Sequence, residues 1–109
     1  MNILISNPNK VFDSGLRIQI MASLFHSSLT FSELKKICQC VDGVLSNHIK
    51  KLIDGGFVTA KRDFYKNRPR TTYTITEEGR LVFRQLVTSL NEALDDKTNS
   101  FQYEELKSL

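Results

Sequence analysis

The sequence has no tryptophan, two prolines, two cysteines and two histidines among its 109 residues, and each scarcity removes a class of protein. Cys38 and Cys40 are too few and too close together for a disulfide framework. His26 and His48 stand beside no glycine-rich elbow, metal motif or phosphate loop. No nucleophile–base pair is visible, so an enzyme is not expected and no cofactor is implied. Apolar runs stay far below the roughly 20 residues of a membrane span. The start, MNILISNPNK, lacks the cationic region and long apolar stretch of a secretory signal, and a cytoplasmic protein is the expectation. There is no internal repeat, low-complexity tract or long linker, which suits one domain of this length.

What is present is uneven charge. The net charge of +3 conceals a basic middle and an acidic end. Residues 35–70 hold nine lysines and arginines against three aspartates, whereas residues 71–109 hold four cations against seven acids. A block of +6 followed by one of −3 is the pattern of a nucleic-acid footprint joined to another module.

Periodicity places that footprint. Leu45, Ile49, Leu52 and Ile53 recur at helical spacing in VDGVLSNHIKKLIDGG. The spacing predicts a helix with Asp42 as N-cap and Gly55-Gly56 as its stop. Its other faces carry Gly43, Val44, Ser46, Asn47, Lys50 and Lys51. Short polar groups early and lysines later fit a helix that enters the major groove and reaches phosphates. Before it, Thr30-Phe31-Ser32-Glu33 reads as a capping box opening a short helix with Phe31, Leu34 and Ile37 on one side and Lys35 outside. The two helices and the turn Cys38–Asp42 have helix-turn-helix spacing.

Upstream, residues 1–6 read as an arm, and Asn7-Pro8 as the cap and first position of a short helix through Val11 and Phe12. Ser14 caps a second, largely apolar stretch containing Leu16, Ile20, Met21 and Leu24, with His26 at its C-terminal end. Ser27 to Leu29 read as a turn. Downstream, residues 57–61 and 72–76 read as two strands, with Tyr73 and Ile75 sharing a buried face. Between them RDFYKNRPRT is cationic, without period and broken by Pro69, and reads as a loop carrying Arg62, Lys66, Arg68, Arg70 and Thr71. Thr76 then caps a long helix along Leu81, Phe83, Leu86, Val87, Leu90 and Leu94. One small domain does not cover so long a stripe, and part of it is expected to pack on a second copy. The expected fold is α+β, mostly α: a winged helix-turn-helix with a two-stranded wing and a long C-terminal dimerisation helix. It would occupy residues 7–96, followed by a tail over 97–109.

The blocks LSNHIKKLIDGGFV at 45–58 and KNRPRTTYTITEEGRLVF at 66–83, with a weaker match across GLRIQIMASL at 15–24, resemble the small winged-helix regulators related to the MarR and ArsR families. The similarity is greatest to the compact branch that is little more than the DNA-binding domain, and it covers about residues 7–95. The resemblance implies a homodimer joined through N- and C-terminal helices, recognition by the helix after the turn, and phosphate or minor-groove contacts by the wing. It places Arg68, and with it Arg70, in that wing. The sequence departs from the pattern in Gly55, where a small alanine is commoner, and in its Cys38/Cys40 pair.

The function expected is a homodimeric, sequence-specific regulator of transcription bound to double-stranded DNA. Its contacts would come from Lys35, Asp42, Gly43, Val44, Ser46, Asn47, Lys50 and Lys51, and from Arg62, Lys66, Arg68, Arg70 and Thr71 in the wing. Dimerisation would use Val11, Phe12, Leu16, Phe83, Leu86, Val87, Leu90 and Leu94. Two alternatives stay open. One is a metal- or thiol-responsive sensor through Cys38 and Cys40, although two thiolates fall short of a closed four-ligand site. The other is a winged-helix adaptor that binds protein rather than DNA.

Overall fold

The computed structural model describes residues 11–95 of the chain. The expected arm, the Asn7-Pro8 helix start and the 97–109 tail lie outside those residues. A single 3-10 turn, Val11–Asp13, leads into α1 (Gly15–His26), β1 (Leu29–Thr30), α2 (Phe31–Cys38), α3 (Asp42–Asp54), β2 (Val58–Tyr65), β3 (Arg68–Ile75) and α4 (Glu77–Asp95).

Local chemistry sets most of the helix starts. The Ser14 hydroxyl accepts from the Arg17 N–H at the head of α1. Thr30 and Glu33 close the capping box of α2 in both directions, at 3.2 and 2.9 Å. At α4 the Thr76 hydroxyl accepts from the Gly79 N–H and donates to the Gly56 carbonyl, so one side chain caps a helix and ties it to the start of the hairpin. The start of α3 corrects the expectation. Val41, not Asp42, is its N-cap and supplies no side-chain bond. The Asp42 carboxylate lies one position inside, paired with the Lys35 ammonium at 2.6 Å, where its charge still favours the positive end of the helix. Gly56 follows α3 with φ +83, the left-handed geometry expected of a glycine just past a helix end.

The helices pack on one face of a small antiparallel sheet of order β1-β3-β2. The sheet has three strands rather than two, because Leu29, read as the end of a turn from sequence, and the capping residue Thr30 pair with Tyr73 and Thr72. The core joins α1 (Ile20, Met21, Leu24), α2 (Leu34), α3 (Leu45, Ile49, Leu52), the sheet (Phe57, Val58, Ile75) and α4 (Phe83, Leu86), closed by Phe12. Each such side chain contributes roughly 1.5–3 kcal/mol when fully buried. Leu34 is the sole fully buried residue of α2, with Phe31 and Cys38 packed partly against the core at the two ends of that short helix. The architecture is the expected α+β, mostly helical winged helix.

The hairpin is longer and tighter than the sequence suggests. Strand pairing runs without a break from Val58↔Ile75 to Tyr65↔Arg68, leaving a two-residue turn, Lys66-Asn67, with φ +51 and +62. Positive φ at both central residues is the type I′ condition that matches strand twist. Pro69 is tolerated because it faces Phe64, one position from the hydrogen-bonded pair that closes the turn. Its missing N–H therefore points away from β2.

Candidate nucleic-acid interface

Leu45, Ile49 and Leu52 turn α3 inward, and the helical period dictates what remains outside. Gly43 and Asn47 lie on the line opposite the core, with Val44 and Lys51 along one flank and Ser46 and Lys50 along the other. All six are exposed. Ser46 borders a cleft shared with Thr30, Phe31 and Ser32 at the head of α2 and with Pro69, Arg70, Thr71 and Tyr73 of β3. One flank of α3, the head of α2 and β3 of the wing thus border one open cleft.

The back of α3 is fixed by a pair that sequence reasoning did not find. Arg17 is 8% exposed and its Nη1 donates to His48 Nδ1 at 2.9 Å. A guanidinium only donates, so His48 accepts at Nδ1 and carries its proton on Nε2. Burial, then Arg17 and Lys51, push its pKa below the ordinary 6.5. The unfolded chain therefore binds a proton that the folded chain resists, and stability is full above about pH 6.5 and declines below it. Urea unfolding at pH 8 and pH 5.5 is expected to show that decline in the wild type and a smaller one in His48→Gln. Equal slopes in the two proteins would show that the α1–α3 contact does not sense the proton. Nothing in the sequence marks the pair, since its members are 31 residues apart.

The wing is braced by its own acid. Asp63 and Arg70 face each other across the ladder, and the guanidinium donates twice, at 3.0 and 2.9 Å, to the two carboxylate oxygens. That hydrogen bonding holds Asp63 below and Arg70 above their ordinary pKa values. Arg70 also lies over the Tyr65 ring at 4.6 Å, with Lys66 at 5.3 Å. The alternation of β2 puts Arg62 and Phe64 on the opposite side from Asp63 and Tyr65. Phe64 is 77% exposed at the tip. Asp63 and Tyr65 would have been visible from sequence had Lys66-Asn67 been taken as the turn, because Asp63 and Arg70 then stand opposite.

The cations named from sequence thus fall into two groups. Lys35 is paired with Asp42, and Arg70 with Asp63. Among the described residues, Lys50, Lys51, Arg62, Lys66 and Arg68 form no ion pair, and all five are exposed. Thr71 is half-buried at the cleft. The set named for dimerisation divides as well. Phe12, Phe83 and Leu86 are consumed inside the chain's own core, and Leu16 is half-buried against it. Val87, Leu90 and Leu94 stay exposed along one stripe of α4, Leu94 at 73%, while only the backbone of Val11 is described.

Cys38 and Cys40 are half-buried at the end of α2 and in the turn. Burial, and then Cys40, raise the Cys38 pKa, which lowers its thiolate fraction and reactivity. Among the described residues, no three His, Cys, Asp or Glu side chains are grouped to hold a metal ion. No described helix is long and apolar enough to cross a membrane.

Comparison with known proteins agrees with this geometry. An uncharacterized protein of Methanocaldococcus jannaschii is 37% identical over 79 residues, which are 72% of this chain and 86% of that protein. A transcriptional regulator homologue from Pyrococcus horikoshii superposes with a TM-score of 0.73 at 27% identity, over 80% of this chain and 87% of that one. Bacillus subtilis PadR, solved in complex with operator DNA, shares the fold at 18% identity and a TM-score of 0.62, over 68% of this chain and 48% of its own. The model of the winged helix DNA-binding domain matches residues 16–94. The chain belongs to that winged helix DNA-binding domain family, among the small transcriptional regulators.

Proposed function

We propose that the chain is a sequence-specific regulator of transcription that binds double-stranded DNA as a homodimer. The carrying observation is that Ser46, on one flank of α3, borders an open cleft with the head of α2 and β3 of the wing, while Lys50 and Lys51 on α3 and Arg62, Lys66 and Arg68 on the wing are exposed and outside any ion pair. In this reading α3 enters the major groove with Gly43, Val44, Ser46 and Asn47 at the base edges. Lys50 and Lys51 contact phosphates. Arg68, at the turn of the wing, reaches the backbone or the minor groove beside it.

Lys35 and Asp42 act there as a pair that sets the angle of α3. Arg70, clasped by Asp63, lines the cleft with Thr71 rather than extending from it. The second copy joins through the exposed stripe of α4, and the unit is residues 7–96. Paired recognition helices then address successive major grooves roughly 34–36 Å apart, which makes the operator an inverted repeat.

Selection from a randomised double-stranded pool at two salt concentrations tests the reading. A two-fold-symmetric site with steeply salt-dependent affinity is expected. Each phosphate contact contributes about 0.9 to the slope of log affinity against log salt. Arg68→Ala and Lys50→Ala should each lower that slope by about one unit and weaken binding on all sequences alike. Absence of salt-sensitive binding would move the protein to the adaptor class. Unchanged slopes in both variants would displace the wing and α3 from the interface.

A further inference from the structure

We infer that α3 reads A·T base pairs, with Val44 against thymine methyl groups and Asn47 paired with adenine. This deepens the DNA-binding reading and rests on it. The starting point is which groups can reach the floor of a groove. Residues 42–54, DGVLSNHIKKLID, contain no arginine and no glutamine, and the one acid near the start of the helix, Asp42, is bound to Lys35. The arginine that most often reads guanine is therefore missing from this surface, and near the start of the helix no free carboxylate is left to accept from cytosine, Asp54 lying two turns beyond Asn47 at the far end.

What the surface does present is narrow in chemistry. Asn47 lies on the line directly away from the core, one turn beyond Gly43, where an added Cβ would meet nothing within 4 Å. The helix backbone is therefore free to come close, and the short amide can offer one donor and one acceptor together. Adenine is the base whose major-groove edge, N7 with the N6 amino group, matches both.

Val44 stands on the flank away from the wing, 43% exposed, and Val41 just before the helix is 68% exposed. Three residues apart, they form a small apolar edge on an otherwise polar face. In the major groove the thymine methyl is the one apolar feature of a base pair, and G·C pairs have none.

The lysines stand beyond the amide and the valine along the helix. At about 100° per residue, Lys50 and Lys51 diverge from the Asn47 line by roughly 60° and 40° to opposite sides, one turn further on. Their long, flexible stems can carry the ammonium groups out to the phosphates of the strands bordering the groove, which the short amide and valine cannot reach. Amide and valine point to the same pair of bases.

The test uses the full chain and a site recovered from a randomised pool. The half-site positions that distinguish bound from unbound DNA are expected to be A·T pairs. Replacing each thymine in turn by deoxyuridine removes only the C5-methyl. At one or two positions per half-site this should weaken wild-type binding about three- to fivefold per methyl, the value of one buried methyl group. The same replacement should have no further effect on Val44→Ala. Replacing adenine by 7-deazaadenine removes the N7 acceptor, and should cost wild type about tenfold and Asn47→Ala nothing more.

Invariant G·C pairs across the half-site, or deoxyuridine penalties equal in wild type and Val44→Ala, would overturn the inference while leaving operator binding intact. Absence of salt-sensitive DNA binding would instead remove the reading on which it rests.

Discussion

Gly79→Ala is expected to destabilise the domain by about 2–4 kcal/mol and lower its Tm by roughly 10–20 °C. On helix propensity alone the change should help, since alanine is favoured over glycine by about 1 kcal/mol inside a helix. Packing reverses the sign. A Cβ at this position falls inside contact distance of the Phe57 carbonyl oxygen and 3.0 Å from Cγ1 of Ile75. The carbonyl is main chain and has no rotamer to escape into. It also accepts the Thr76 N–H at 3.0 Å, so pushing it aside breaks the bond that sets α4 against the hairpin. Gly43→Ala serves as the control, because nothing lies within 4 Å of its added Cβ. Thermal unfolding by circular dichroism separates the two variants. A Gly79→Ala protein melting within a few degrees of wild type would mean that α4 stands further from Phe57 than the structure places it.

The second large effect concerns assembly. For the proposed homodimer, Leu90→Glu is expected to yield a monomer and to weaken operator binding by about a hundredfold or more, because the second half-site then binds without the benefit of linkage to the first. The substitution sits between Val87 and Leu94 on the exposed stripe of α4, one turn beyond the buried Leu86, and Leu90 itself is 41% exposed. It should therefore leave the fold of the single chain intact. Light scattering during gel filtration gives the mass, and circular dichroism confirms the helix content. If the variant keeps the wild-type mass, the stripe is not the dimer surface, whatever happens to DNA binding.

Much of this architecture could be read from sequence, for reasons that are local. Ser14, Thr30 with Glu33, and Thr76 sit where helix starts need acceptors, and all three make the bonds expected of them. The inward stripe of α3 follows from spacing alone. What escaped notice depends on partners distant in the chain or on unusual backbone. Leu29 and Thr30 become a strand only because Tyr73 and Thr72 lie beside them. β2 is exposed over most of its length, so no alternation announces its outer half. The turn at Lys66-Asn67 lacks the glycine that usually marks this geometry. Asp42 had the right identity for a cap, but Lys35 offered its carboxylate a charged partner. Among the candidate site residues, exposure on α3 was legible, whereas Arg17 behind it and Asp63 beneath Arg70 were not. Phe12, Phe83 and Leu86 show the limit of counting apolar residues, since a stripe does not reveal which part of it the chain covers for itself.

The clasp between Asp63 and Arg70 has a consequence for the timing of order. A flexible wing would have to become fixed at the moment of binding, and the entropy lost then would be subtracted from affinity. Here two parallel hydrogen bonds and an aromatic ring hold the hairpin before any ligand arrives, so its ordering belongs to folding instead. In the proposed mode of DNA binding the wing then meets its ligand as a rigid body, without a disorder-to-order step of its own. The same clasp links the wing to acid. Asp63 has a lowered pKa, so the bracing is complete above the ordinary aspartate range and is lost only as pH falls below it. Near neutral pH the arm that carries Arg68 is a fixed feature of the surface, as much a part of the scaffold as the helices it stands beside.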